Sequence, residues 1–188
     1  ILSTVATTRT LIMPSGTLEH HTAIAWLAGM MDGEACVRIA RRAPPKTSKS
    51  ANPIYSVEVT LGQNCEYTLG IIRALLESEL GIVCGKLNIV GRVAEGKAPT
   101  QTLTLRSHTA VALLRAVRPH LRRKGIEADL AIRLGGRIQA VHARRRASGR
   151  GLKVPLSRRE ILFRELCYQK LSQLKERGPG CSFEGATK

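Results

Sequence analysis

A chain of 188 residues is long enough to close a hydrophobic core without disulfides, and 30 Lys and Arg against 14 Asp and Glu give it a formal net charge of +16. That excess implies a polyanionic partner. No apolar run approaches the roughly 20 residues of a bilayer span, so no membrane segment is expected. Ile1 to Ser15 lack the basic start and continuous apolar stretch of a secretory leader, and the expected location is intracellular, in cytoplasm, nucleoid or an organelle. Cys36, Cys65, Cys84, Cys167 and Cys181 form no CxxC pair, which argues against structural zinc and dithiol chemistry. Trp26, Tyr55, Tyr67, Phe163, Tyr168 and Phe183 are the whole aromatic set; single strands are usually held by stacking on such rings, so the scarcity favours a duplex.

The first helix is predicted from about Thr22 to Met31, because Ile24, Trp26, Leu27, Met30 and Met31 recur at near-helical spacing before Asp32-Gly33. From Glu34 to Arg42 the pattern alternates, with Val37 and Ile39 on one side and Arg38, Ala40 and Arg42 on the other, the period of a strand with one packed face. A loop rich in Pro, Ser and Lys, Ala43 to Pro53, leads to a second alternating strand, Ile54 to Leu61, with Tyr55, Val57 and Val59 opposed to Ser56, Glu58 and Thr60. Asn64 caps the next predicted helix, which carries Ile71, Ile72, Leu75, Leu76 and Leu80 and stops at Gly81.

A second hairpin is expected from Ile82 to Val90 and Gln101 to Arg106, with Lys86, Asn88, Thr102, Thr104 and Arg106 pointing outward. Helices follow over Thr109 to about Arg123 and about Glu127 to Val141, the latter ending before the cluster Arg144, Arg145, Arg146, Arg150 and Lys153. Ser157 with Glu160 has the spacing of a capping box for a last helix reaching about Lys175. The order predicts one α+β domain over 1–188: a core of about 20–141, and a basic helical extension of about 142–178. An antiparallel sheet with helices on one side leaves its other face polar and basic, and a ribbon of that kind fits the major groove of DNA.

The segment Leu27-Ala28-Gly29-Met30-Met31-Asp32-Gly33-Glu34-Ala35 puts small residues on a helix, a glycine at its exit and a carboxylate at the mouth of a strand. Two such helices packed across a two-fold axis would bring two carboxylates together, an arrangement that needs cations between them. The segment resembles the motif of the LAGLIDADG homing endonucleases, with Ala35 where the common pattern has a final Gly. The likeness extends from Ala28 to about Gln139. It implies an antiparallel β-sheet saddle, αββαββα in order, with helices on one face. It further implies a dimer-interface helix carrying Trp26, Leu27, Ala28, Gly29, Met31 and Asp32, and Glu34 as the ligand of a catalytic divalent metal. Asp32 is the acidic residue that more often organises the turn. Lys124 matches the lysine that points into the active site, and the water-positioning place falls on Leu61 by simple alignment or on Gln63 with a different turn.

One motif in 188 residues leaves no room for a second unit of roughly 110 residues, so the resemblance implies a homodimer and a pseudo-palindromic double-stranded DNA target. The expected activity is metal-dependent hydrolysis of phosphodiesters on both strands. The oxygen-only ligands favour Mg2+, with Mn2+ or Ca2+ as substitutes, Ca2+ in a non-cleaving complex. Base reading is expected from Arg38, Arg42, Glu58, Lys86, Asn88, Thr102, Thr104 and Arg106. Phosphate contacts are expected from Arg41, Lys46, Lys49, Arg144, Arg145, Arg146, Arg150 and Lys153. Intron RNA as a partner in a maturase role, and a non-catalytic DNA-binding regulator, are the alternatives on the same scaffold.

Overall fold

The structure, a computed structural model, describes residues 17–44, 52–85, 88–90, 100–147 and 156–176. Its elements run α1 (Thr17–Glu34), β1 (Ala35–Arg42), β2 (Ile54–Gln63), α2 (Glu66–Leu80), β3 (Asn88–Val90) and β4 (Thr100–Arg106). α3 (Ser107–Val117), a 3-10 turn (Arg118–His120), α4 (Gly125–Ala147) and α5 (Arg158–Glu176) complete the order. The four strands form one antiparallel sheet in the order β1-β2-β4-β3. Among the described residues no helix is long and apolar enough to cross a membrane.

Alternation decides which face of the sheet is packed. Ala35, Val37 and Ile39 of β1, Tyr55, Val57, Val59 and Leu61 of β2, and Leu103 and Leu105 of β4 all point to one side and are buried. They meet Ile24, Leu27 and Met31 of α1, Leu69, Ile72 and Leu76 of α2, and Ala110, Val111, Leu113 and Leu114 of α3 in one core. Ala128, Ala131 and Leu134 of α4 and Cys167 and Leu171 of α5 join it. Each fully buried leucine contributes about 2 kcal/mol of apolar transfer, and trimming one to alanine costs about 2–5 kcal/mol once the cavity is counted. Where α3 crosses α4, a Cβ on Gly135 would overlap the Val111 side chain, so glycine is what lets these two helices approach.

Several boundaries differ from the pattern in the sequence. α1 begins at Thr17 and keeps its helical path through Gly33, so Glu34 is the last residue of the helix rather than the first of a strand. α2 is preceded by Cys65 without a side-chain cap, because Asn64 Oδ1 instead accepts from Thr100 Oγ1 at 2.8 Å. Its other end follows expectation: Gly81 takes a left-handed conformation (φ 61°), and Ile82 N–H returns to Leu76 O at 2.9 Å. Ile82 to Gly85 is not strand; Ile82 and Cys84 turn into the core, and among the described residues of this segment Asn88–Val90 pair with β4. α3 stops at Val117 because Pro119, two residues on, has no N–H to extend the helical ladder.

α4 runs six residues past Val141, through the arginine cluster to Ala147, since alanine and arginine are good helix formers and the cationic side chains suit a helix C-terminus. Ser157 does cap α5, its Oγ accepting Glu160 N–H at 3.2 Å. The reciprocal half of a capping box is absent: the buried Glu160 carboxylate binds Arg137 at 2.8 Å and Arg164 at 2.9 Å, which ties α5 to α4.

Candidate functional site

The C-terminal end of α1 is fastened to the turn before α4 by a reciprocal set of hydrogen bonds. Asp32 Oδ2 accepts the backbone N–H groups of Arg122 and Arg123 at 2.7 and 3.2 Å, and Oδ1 accepts that of Lys124 at 2.9 Å. Lys124 Nζ in return donates to the carbonyls of Met31 and Asp32, each at 2.8 Å, closing the last turn of the helix. Burial would raise the Asp32 pKa, but the amides of Arg122, Lys124 and Arg123 and the Lys124 charge outweigh it and hold it below the usual carboxylate value. Burial pushes the Lys124 ammonium down and Arg123 adds to this, against the pull of Glu127, Asp32 and Cys36.

Glu34 follows two residues later, and its side chain is exposed. Among the described residues no hydrogen bond or ion pair engages its carboxylate, and no group of three His, Cys, Asp or Glu side chains could hold a metal ion. The donor chemistry fits a hard cation, since carboxylate oxygen is what Mg2+ and Ca2+ take, though among the described residues Glu34 alone does not complete a ligand set. Gln63 closes β2 at the same end of the sheet. Ala35 pairs with Leu61, so Gln63 lies two residues beyond, beside Gln101 of β4, and is half-buried. Leu61 is fully buried in the core and cannot orient a water.

The outward face of α1 carries Trp26, 41% exposed, and Gly29 and Gly33, both exposed. A Cβ built on either glycine meets nothing within 4 Å. Leu27, Ala28 and Met31, expected at a dimer interface, instead face the chain's own core and are fully buried. Asp32 is likewise taken up by the Arg122–Lys124 turn. The motif has two faces, and the one holding these leucine, alanine and methionine side chains belongs to the core.

On the unpacked face of the sheet, β1 contributes Cys36, Arg38 and Arg42, and β4 contributes Thr104 and Arg106, as the alternation predicts. Arg38, Glu58 and Arg106 form one cross-strand row. Glu58 does not stand free as a base reader would: it is 0% exposed, covered by Arg38, Arg42 and Arg106, whose side chains remain 53%, 56% and 60% exposed. Thr102, at 9%, is also buried, between Gly62 and Asn88 in the ladder, and Thr104 shares a hydrogen bond with Thr60 at 3.3 Å. Arg41, expected on phosphate, lies on the helix side of β1, where it bonds Tyr55 Oη at 3.4 Å and pairs with Glu165 of α5 at 3.2 Å. Tyr55 donates to the same carboxylate.

Arg144, Arg145 and Arg146 occupy the last turn of α4. Lys46, Lys49, Lys86, Arg150 and Lys153 lie outside the described residues, as does the side chain of Asn88. A cavity of about 670 Å³ is lined by Tyr55, Val57, His108, Ile138, His142 and Arg164 among others; it sits at the start of β2, the end remote from Gln63.

What fold these pieces make is a saddle: an antiparallel sheet, helices against one face, and a motif helix running into its first strand. No family model and no curated protein matches the sequence. Solved structures do. An archaeal intron-encoded homing endonuclease complexed with DNA superposes with a TM-score of 0.58 at 12% identity, covering 89% of each chain. The homing endonuclease I-TnaI gives 0.55 at 14%, over 82% of this chain and 96% of that one. I-CvuI, in complex with its target in the presence of Ca, gives 0.50 at 18%, over 83% and 98%. The chain has the LAGLIDADG homing endonuclease fold.

Proposed function

We propose that two copies of this chain form a site-specific double-stranded DNA endonuclease of the homing type. The observation that carries the reading is the α1 terminus: an exposed carboxylate, Glu34, with no partner among the described residues, on a helix whose outward face holds Trp26, Gly29 and Gly33 with nothing described within 4 Å of a Cβ on either glycine. A glycine inside a helix costs about 1 kcal/mol relative to alanine, and among the described residues nothing packs close enough to Gly29 to compensate. Close approach of a second α1 supplies the compensation and sets two Glu34 side chains side by side.

In that arrangement the paired Glu34 carboxylates would hold a divalent cation, Mg2+ by preference; bound there, it would supply a nucleophilic water and offset charge on the cleaved phosphate. Asp32 and the Arg122–Lys124 turn fix the direction in which Glu34 leaves the helix. Lys124, seated on the carbonyls of Met31 and Asp32, adds positive charge close by, and Gln63 at the end of β2 stands where it can orient water. The exposed arginines of the sheet, Arg38, Arg42 and Arg106, face the major groove, and Arg144, Arg145 and Arg146 meet phosphates farther out. Two-fold symmetry makes the target a pseudo-palindrome. DNA-bound relatives of the same fold, and one solved with Ca, support the reading.

The test is Glu34→Gln on a random double-stranded library with and without Mg2+. The wild type is expected to leave defined ends on both strands only with the metal. The variant is expected to select the same sequences and cut none, and undiminished cutting by it overturns the assignment.

A further inference from the structure

Glu58 is buried in an unusual place, on the sheet face opposite the described helices. Its cover is three arginines from two other strands. Arg38 of β1 bonds Oε2 through both Nε, at 2.9 Å, and Nη2, at 2.5 Å. Arg42, two outward positions further along β1 with Ala40 between, bonds Oε1 through Nη2 at 2.5 Å, and Arg106 of β4 brings Nε to 3.3 Å from the same oxygen. One carboxylate thus gathers three guanidinium groups, and each spends one edge on it while more than half of its side chain stays exposed. Three long cations this close would otherwise repel one another and sample many rotamers. Held this way, they form a row of fixed direction that retains an excess of positive charge toward an anionic ligand.

We propose that Glu58 is a positioning residue for base reading: it aims Arg38, Arg42 and Arg106, so base preference depends on it while general affinity for duplex does not. The proposal rests on the reading of this face as the DNA-contacting surface. An arginine reads guanine by presenting two N–H groups at once to O6 and N7, a geometry that a freely rotating side chain seldom holds. Glu58 touches no base in this scheme, because it is sealed beneath the side chains it orients.

The experiment uses the full chain in EDTA, selecting bound sequences from a random duplex library, beside thermal melting. Arg38→Ala and Arg106→Ala are expected to alter the preferred base at particular positions. Glu58→Gln is expected to keep duplex affinity within about threefold and to lose about tenfold or more of the preference at those same positions. A folded Glu58→Gln protein with wild-type preferences overturns the proposal. Should that variant not fold, Arg42→Gln and Arg106→Gln, both exposed and both on Oε1, decide it: their effects on base preference are expected to be non-additive, and additivity overturns the proposal. If Arg38→Ala and Arg106→Ala bind duplex with preferences unchanged, the outer face is not the reading surface, and the parent reading falls with this one.

Discussion

Asp32 and Glu34 stand two residues apart and have opposite fates. Asp32 accepts three backbone amides, and Glu34 is left exposed. Because the folded-state pKa of Asp32 lies below its unfolded value, the stability it contributes is present above the ordinary carboxylate pKa and is lost as pH falls through the lowered one. Asp32→Asn is therefore expected to lower stability at neutral pH by about 1 kcal/mol after solvent screening, and to make no difference in strong acid. Melting curves of the two proteins between neutral pH and pH 2 check this; a constant gap across the range contradicts it. Both acidic residues could be picked out in the sequence because they fall within one nine-residue motif, although the amides that Asp32 accepts lie about ninety residues away. Glu58 could be assigned to the outward face by alternation, but not its burial. That follows from the register joining Arg38, Glu58 and Arg106 across three strands, and the sign pattern of that row becomes visible only once the strands are aligned.

Elements whose fate depends on a repeating pattern were legible; those set by a single distant contact were not. The strands β1, β2 and β4 and the buried faces of α2 and α3 follow from periods of two and 3.6 residues. The ends of α1 and α4 do not, since both continue beyond their last large apolar residue, Met31 and Val141. For α1 the extension is closed by Lys124, about ninety residues away in the chain, whose ammonium caps two of its carbonyls. The motif helix carries apolar or small residues on both sides, so its sequence alone could not say that Leu27, Ala28 and Met31 turn inward while Trp26 and Gly29 turn out. Gly29→Leu tests the outward side. With nothing near its Cβ, the fold is expected to survive, and circular dichroism should be unchanged. Sedimentation is expected to shift from dimer to monomer, with DNA cleavage lost; an intact dimer contradicts the proposed pairing.

For the molecule as a whole, charge and layering point the same way. The chain carries a net charge of +16, and among the described residues Arg38, Arg42 and Arg106 line the outer sheet face while Arg144, Arg145 and Arg146 close α4. Affinity for duplex should fall steeply with salt, and Arg144→Gln with Arg146→Gln is expected to lower the slope of log K against log salt by about two while leaving base preference alone. Filter binding across a salt series reads the slope, and an unchanged slope removes these arginines from the interface. The expectation of a polyanionic partner comes from composition. The architecture follows from the order of elements, and the specific assembly follows from neither, because one chain contains only one side of each contact it would make with a copy of itself.

α4 has a further implication as a rigid strut. Its 23 helical residues span roughly 34 Å between the turn that Asp32 grips and the arginines of its last turn. Under the DNA reading proposed above, helix length then serves as a ruler between the point of scission and an outlying phosphate. One residue added to α4 would not merely lengthen the ruler by about 1.5 Å; it would swing the arginines about 100° around the axis and away from the duplex. Lengthening the footprint in evolution would therefore favour steps of whole helical turns.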